Sequence, residues 1–460
     1  MFGKAALLVI LGLSSTLAII GINNSDVASV TERAFNEYYV EEIAHQIAVS
    51  GANIATSNFF ISPAWNPNET MNNIEMLDGT LTVTREVIDP VKGRVRIVST
   101  GRYYEFERRV TIVMQSTSFA RFSLFINDFN TSGFFATGDL FTGPVHVNVP
   151  YKNGAPDPAR SLRLKGSPVF KGKVTSDIMW KAMDGSTKPV FEKGFEDKIN
   201  VTLPQQFAEA LTEAVRVGEA DEYGNVTRGF EFTNDRNISI VLNSDGTMTY
   251  KEFTLSDAAF NTVSTRCTPP ATRAEQNAQG WKTVPLDSIA PNGALLIPNG
   301  NLRIKGTLDG KITLGILSSS ASDKSSRGNV YFEDDVVYRQ DPFAGESDDM
   351  LGIVAQNYIY AADTPANKNN LVTHGSLFSK NRGVATENIS ALNSSKIQCG
   401  NWDYRGGVTE GQSQITGYIG SGGKIYGFSQ RFYYDERLLS DSPPYFPGTG
   451  ALQILSWLEE

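Results

Sequence analysis

The stretch Ala5-Ala6-Leu7-Leu8-Val9-Ile10-Leu11-Gly12-Leu13-Ser14-Ser15-Thr16-Leu17-Ala18-Ile19-Ile20-Gly21-Ile22 carries no charge, and Lys4 stands directly before it. Ten of its eighteen residues are Leu, Ile or Val, which favour the bilayer interior, and Ser14, Ser15 and Thr16 offset them only in part. A helix of this length spans a hydrocarbon core. Leu7, Leu8, Leu11, Leu13, Leu17 and Ile20 are expected to belong to the membrane and assembly helix. Three readings are open: a cleaved secretory signal, a plain signal anchor, or a leader followed by an anchor. Thr16-Leu17-Ala18 is a poor cleavage site because it lies inside the apolar run, and no lipobox cysteine follows.

The next thirty residues favour an anchor. From Asp26 to Thr56 there is no Pro, and Gly51 is the only Gly. Val27, Val30, Ala34, Tyr38, Ile43, Ile47 and Ala48 recur at helical spacing, with Glu32, Glu37, Glu41, Glu42 and Gln46 between them. Ala44, Ala48 and Ala52 form a small-residue stripe suited to close packing between helices. The apolar helix therefore continues into an amphipathic one, over about 50 residues or ~75–80 Å, with Asn23-Asn24-Ser25 as the candidate break at the membrane surface.

After Asn66-Pro67-Asn68 the period becomes alternating. Leu81, Val83, Val95 and Ile97 read as a hairpin turning at Asp89-Pro90, and Arg109-Val110-Thr111-Ile112-Val113 as a further strand. Farther on, short strands are punctuated by Gly or Gly-Pro in Phe141–Val174, Leu302–Leu317, Val330–Phe332, Leu351–Ala355, Leu371–Phe378 and Arg382–Val384. These read as stacked rungs. Leu203–Gly218 reads as an amphipathic helix with Pro204 in its first turn, and Ile238–Phe253 as a hairpin around Asn243-Ser244-Asp245-Gly246. The expectation is a mainly β (α+β) chain: a long N-terminal transmembrane and amphipathic helix packed on a β-helix or solenoid-like body. Its segments are 1–58 (anchor helix), 59–117 (β-meander), 118–400 (rungs, with an insertion at about 175–285) and 401–460 (tail).

Met1-Phe2-Gly3-Lys4-Ala5-Ala6-Leu7-Leu8 resembles the start of PilX-type minor pilins and pseudopilins, whose short leader ends in Gly before an apolar helix. The resemblance implies leader-peptidase cleavage between Gly3 and Lys4. Here Lys4 replaces the customary Phe or small residue, and Leu8 stands where major pilins place a Glu. Ser99-Thr100-Gly101-Arg102, followed by Arg109, resembles a turn and strand in the PilX-like sheet. Gly143-Pro144-Val145-His146-Val147-Asn148, Leu351-Gly352-Ile353-Val354-Ala355, Gly375–Gly383 and the tail Tyr434-Asp435-Glu436-Arg437-Leu438 with Pro443-Pro444-Tyr445-Phe446-Pro447 and Trp457 resemble, in this order, a bacterial family of pilin-like surface proteins. These resemblances imply an exported body on a single-pass inner-membrane anchor at residues 5–22, with other pilin-like subunits as partners and no catalysis.

The chemistry visible in the chain is sparse. A net charge of -9 argues against nucleic acid as a partner. No GxSxG, P-loop or Rossmann fingerprint occurs, and no cofactor is implied. The two cysteines, Cys267 and Cys399, supply no zinc ligand set; outside the cytoplasm they are a candidate disulfide, with two buried thiols as the alternative. His45, His146 (with Asn148) and His374 read as packing or solvated residues rather than ligands. Glu333, Asp334, Asp335, Asp341, Asp348 and Asp349 flank one turn and are weighed as calcium ligands against a solvated turn, which is favoured. Arg437 is expected to pair with Asp435. The alternative function is a β-helical glycan-binding adhesin or carbohydrate-active enzyme.

Overall fold

The structure is a computed structural model that describes residues 2–62, 65–89, 92–220, 224–319, 326–420 and 423–460. The chain divides into two compact units, one comprising Met1–Gln115 and Leu452–Glu460, the other Ser116–Ala451. The segment 401–460 is thus shared between them.

The first unit begins with helix α1, Phe2–Ile61, sixty residues or about 90 Å long. No break occurs at Asn23-Asn24-Ser25. Ser15 Oγ donates to the Leu11 carbonyl (2.9 Å) and Thr16 Oγ1 to that of Gly12 (2.8 Å), so these hydroxyls satisfy themselves on the helix backbone. Strands β1 (Ile74–Met76), β2 (Gly79–Asp89), β3 (Arg94–Tyr103) and β4 (Phe106–Ser118) form an antiparallel meander. The C-terminal strand Gly448–Glu459 lies beside β4, where Arg109 and Glu460 exchange two backbone hydrogen bonds of 3.0 and 2.8 Å. The turn residue Pro90 lies outside the described residues. Period-two alternation puts Leu81, Val83, Val95, Ile97, Val110, Ile112 and Met114 on one face, against Ile47, Ala48, Ala52, Ala55 and Phe59 of α1.

Ser99-Thr100-Gly101-Arg102, expected as a turn, lies inside β3. Its glycine is required by the helix rather than by a bend. A Cβ on Gly101 would stand 2.2 Å from the Ala44 carbonyl oxygen and 2.6 Å from Ala48 N. Alongside, Ser99 Oγ donates to the Ala48 carbonyl at 2.7 Å. Helix and strand backbones touch here.

The second unit is built from parallel ladders. One row of register partners runs Phe230, Leu295, Leu314, Ile353, Leu377, Val408, Leu124, Val145, Val174 and Phe195. Every step is parallel, and the chain order breaks once, where Val408 of Gln398–Glu410 meets Leu124 of Leu124–Ile126. The late strands thus pair directly with the early ones. A second row crosses the same seam as stacked rings: Tyr404, Phe432, Phe141, Phe170 and Phe191, with centroids 4.7, 4.9, 4.7 and 5.1 Å apart and planes within 22° of parallel. Asparagines at the starts of three strands stack in the same sense: Asn301 Nδ2 donates to Asn237 Oδ1 (3.1 Å) and Asn329 Nδ2 to Asn301 Oδ1 (3.0 Å). Strands such as Met350–Ala355 are buried throughout, hence their continuous apolar composition.

Two sequence expectations need correction. The helix expected over Leu203–Gly218 is only Glu209–Arg216, since residues 203–208 are irregular, bend and turn; Leu211, Ala214 and Val215 form its buried stripe. The stretch 175–285 is not set apart as an insertion: Val190–Phe191 and Phe195–Glu196 continue the ladders, and Arg236–Leu242 pairs parallel with Leu302–Leu308. The hairpin around Asn243–Gly246 forms between Arg236–Leu242 and Thr247–Thr254.

Replacing Gly101 with Ala forces two backbones apart and is expected to cost about 1–3 kcal/mol, the overpacking range, read as a lower denaturant midpoint; an unchanged midpoint would refute the close contact. Truncating the central ring of the stack, Phe141→Ala, is expected to cost about 3–5 kcal/mol, read in the body's thermal transition.

Candidate functional site

Between Ala6 and Ile61 runs the one helix, among the described residues, that is long and apolar enough to cross a membrane, and none of its most apolar window is buried in the protein. Leu7, Leu8, Leu11, Leu13, Leu17 and Ile20 are all exposed, so the part of the helix expected to meet lipid or other helices is uncovered. Gly3 and Lys4 lie in the first turn of α1. Exposure of apolar side chains continues through Val27, Val30, Phe35, Tyr38 and Tyr39. From Ala44 on it becomes one-sided: Ala44, Ile47, Ala48, Ala52, Ala55 and Phe59 are buried against the sheet, while Ile54, Phe60 and Ile61 face outward. Ala44, Ala48 and Ala52, read from the sequence as a surface for helix partners, are 0% exposed. Their small side chains let α1 approach β3, so that stripe is already occupied within the unit. At the sheet margin His45 Nε2 lies 2.9 Å from Glu459 Oε2, and Arg108 pairs with Glu41.

The remaining sequence candidates fall into structural roles in the body. His146 is buried, with Nδ1 2.7 Å from Thr175 Oγ1 and Nε2 2.7 Å from Asn148 Oδ1, its ring stacked on Phe125. Burial pushes its pKa down, favouring the neutral ring. His374 takes the Tyr338 N–H on Nδ1 at 3.3 Å, and burial lowers its pKa to about 4.

Of the six carboxylates weighed for calcium, Glu333, Asp335, Asp341 and Asp349 have separate partners. Glu333 is sandwiched between Arg266 (2.7 Å) and Arg303 (2.5 Å), all nearly inaccessible, and Glu387 balances the second positive charge at 3.3 Å from Arg303. Such a charge-balanced buried group satisfies itself. Asp335 accepts from Val372 N, Asp341 pairs with Arg405, and Asp349 accepts from Gly310 N and Gln340 N. Among the described residues no three acidic, histidine or cysteine side chains gather as a metal-binding set. Cys267 and Cys399 form no disulfide: the first is buried with Sγ 3.4 Å from the Ile240 carbonyl, the second is buried in the ladder core. Arg437 pairs with Asp435 at 2.7 Å and also donates to the carbonyls of Ser347 and Asp349, pinning the tail. The glycan ligand of the alternative reading finds no support.

Two groups escaped the sequence reading. Asp139 and Glu410 are buried carboxyls lining one cavity of about 110 Å³ beside the seam. Burial raises their pKa values to about 7 and about 8, only partly offset by the backbone N–H groups of Ala136 and Val384, each at 2.7 Å. Glu410 ends a strand as Val408-Thr409-Glu410, and nothing local distinguishes it from a solvated acid.

Residues 91–177 match the family model described as a domain of unknown function, DUF4900. The match takes in β3, β4 and the first parallel strands of the body. The competence-associated pilin ComZ from Thermus thermophilus is similar in structure over 92% of this chain and 97% of that chain, with 11% identity and a TM-score of 0.34. A likeness at that level carries no inference about function. No curated protein matches the chain.

A carboxyl whose pKa is raised by folding contributes its stability fully below its unfolded value, about 4, and loses it as the pH rises through the folded value. Between about pH 5 and 7 the native chain is therefore expected to lose roughly 1.4 kcal/mol per pH unit for each of the two groups, and from there to about pH 8 for Glu410 alone, relative to the Asp139→Asn/Glu410→Gln double variant. Thermal unfolding across that range checks this; parallel curves for the two proteins would show both carboxyls to be ionised and solvated.

Proposed function

We propose that this chain is a non-enzymatic, exported structural protein of pilin-like design, a minor-pilin-like or pseudopilin-like component of a type IV pilus or type II secretion-like filament. One observation carries the reading: a single sixty-residue helix whose first part is apolar and uncovered and whose last part is the spine of an antiparallel sheet. Such a helix has two partners in sequence, its bilayer first and other subunits' helices later. Dispersion and close packing drive the second association, because lipid tails are as apolar as leucine.

In this account residues 5–22 hold the chain in the inner membrane, Gly3–Lys4 is the leader junction, and the exposed band from Val27 to Tyr39 extends the assembly face beyond the lipid. The parallel ladders wind as a solenoid of rungs that forms the displayed body. The stepwise parallel register, the asparagine rows and the stacked rings support that winding. The body's role is display, with the His146, His374 and Arg266–Glu333 groups as internal struts.

Leu8→Asp or Leu11→Asp places a charge in the apolar helix at a cost of about 2.5–3.5 kcal/mol for insertion. The variant is expected to leave the membrane fraction or to fail to enter filaments, while the sheet and body fold normally. Unchanged fractionation and assembly would count against the proposal.

A further inference from the structure

The cavity beside the seam has a composition that selects a ligand. Its apolar walls include Phe129, Phe135, Phe428 and Phe432; Asp139 and Glu410 are its two carboxyls, and the uncharged polar residues Ser132, Ser413, Gln414, Thr416, Ser429 and Gln430 also line it. Among its described lining residues there is no Lys, Arg or His, and Tyr418, at the exposed rim, is the only other titratable side chain. Arg163, 5.8 Å from the Phe129 ring, is committed to the carbonyls of Asn130 and Thr131.

Each carboxyl uses one oxygen to accept a backbone N–H. The other oxygen of each, on side chains 8% and 4% exposed, has no hydrogen-bond partner among the described residues. Neither of these oxygens is sealed inside the protein, so each faces space that a donor can enter. The space, about 110 Å³, is several times the roughly 10–15 Å³ that one water requires.

We propose that this cavity binds a small organic cation: a primary ammonium group on a short apolar or aromatic body. The ammonium supplies the donors that the two unused carboxyl oxygens lack, and its charge is met by ionisation of the acids and by the electron-rich ring faces. The body of the ligand fills the phenylalanine walls. An anion of the same shape meets two acids and no positive lining group, so it is excluded. A neutral isostere gains the apolar contacts and neutral hydrogen bonds but no charge pairing with the acids. The site lies at the junction of the earliest and latest ladder strands, since Ile126 is the register partner of Glu410. An occupant would therefore brace the seam, whether or not the chain enters a filament.

The test uses the full-length chain in a non-ionic detergent at pH 7.5, titrated calorimetrically with benzylammonium, benzyl alcohol and benzoate. Benzylammonium is expected to bind at least about tenfold tighter than benzyl alcohol, the increment of a charge-assisted hydrogen bond, and benzoate not at all. Glu410→Gln and Asp139→Asn, each isosteric, are each expected to remove that preference while leaving benzyl alcohol within about twofold. A protein that binds none of the three, that prefers the alcohol or benzoate, or whose cation preference survives both substitutions would overturn the proposal. Unfolding curves of the two variants, measured alongside, establish that the cavity is still formed.

Discussion

The contact between α1 and β3 is the constraint on which the first unit depends. It is a backbone contact: Gly101 presents no side chain, Ala44 and Ala48 present the smallest, and Ser99 bonds directly to the helix carbonyl of Ala48. Because the two backbones touch, the leucine- and valine-sized residues on either side interdigitate, and each fully buried one contributes about 1.5–3 kcal/mol. With fifteen large apolar residues uncovered between Leu7 and Tyr39, the helix has no core of its own over that length. Its position is fixed only by the turns that the sheet grips, from Ala44 to Phe59. The same division of one helix into a held part and an uncovered part is what gives it something to do outside the unit.

In the body the corresponding constraint is the seam. Strands at about residues 124 and 141 are flanked on one side by strands that follow them closely in sequence and on the other by strands nearly three hundred residues away. Closing such a long loop is entropically unfavourable, though the cost grows only slowly with length. It is offset by an uninterrupted row of buried aliphatic partners and by five stacked rings. Chain entry and exit consequently lie together, with Thr117 hydrogen-bonded to Thr449 and Phe119 N to the Pro447 carbonyl. Stability of the body is thus a property of its first and last strands jointly.

The sequence revealed periodic features well and contacts poorly. Apolarity without charge from Ala5 to Ile22, helical spacing through Ala48 and alternation from Leu81 to Val113 each depend on neighbours within a turn or two, so α1 and the meander were legible. Gly101 was misread as a turn because Thr-Gly-Arg is turn-like locally, whereas the helix that demands the glycine arrives from half a hundred residues upstream. The Ala44–Ala48–Ala52 stripe was rightly seen as a close-packing surface but assigned to the wrong partner. Gly-punctuated strands marked the ladders without saying which pair, and nothing in Phe432 announces that it lies on Phe141. Asp139 and Glu410 were invisible for the same reason, since burial is decided by strands that come from elsewhere. The cysteines could be counted but not placed.

The central claim is that the N-terminal helix is a permanent part of the protein, the stem by which it is anchored and assembled. N-terminal sequencing of the chain recovered from the membrane or filament fraction tests that most directly. The account predicts a mature protein beginning at Lys4. A chain beginning downstream of Ala18, released from the membrane, would contradict it.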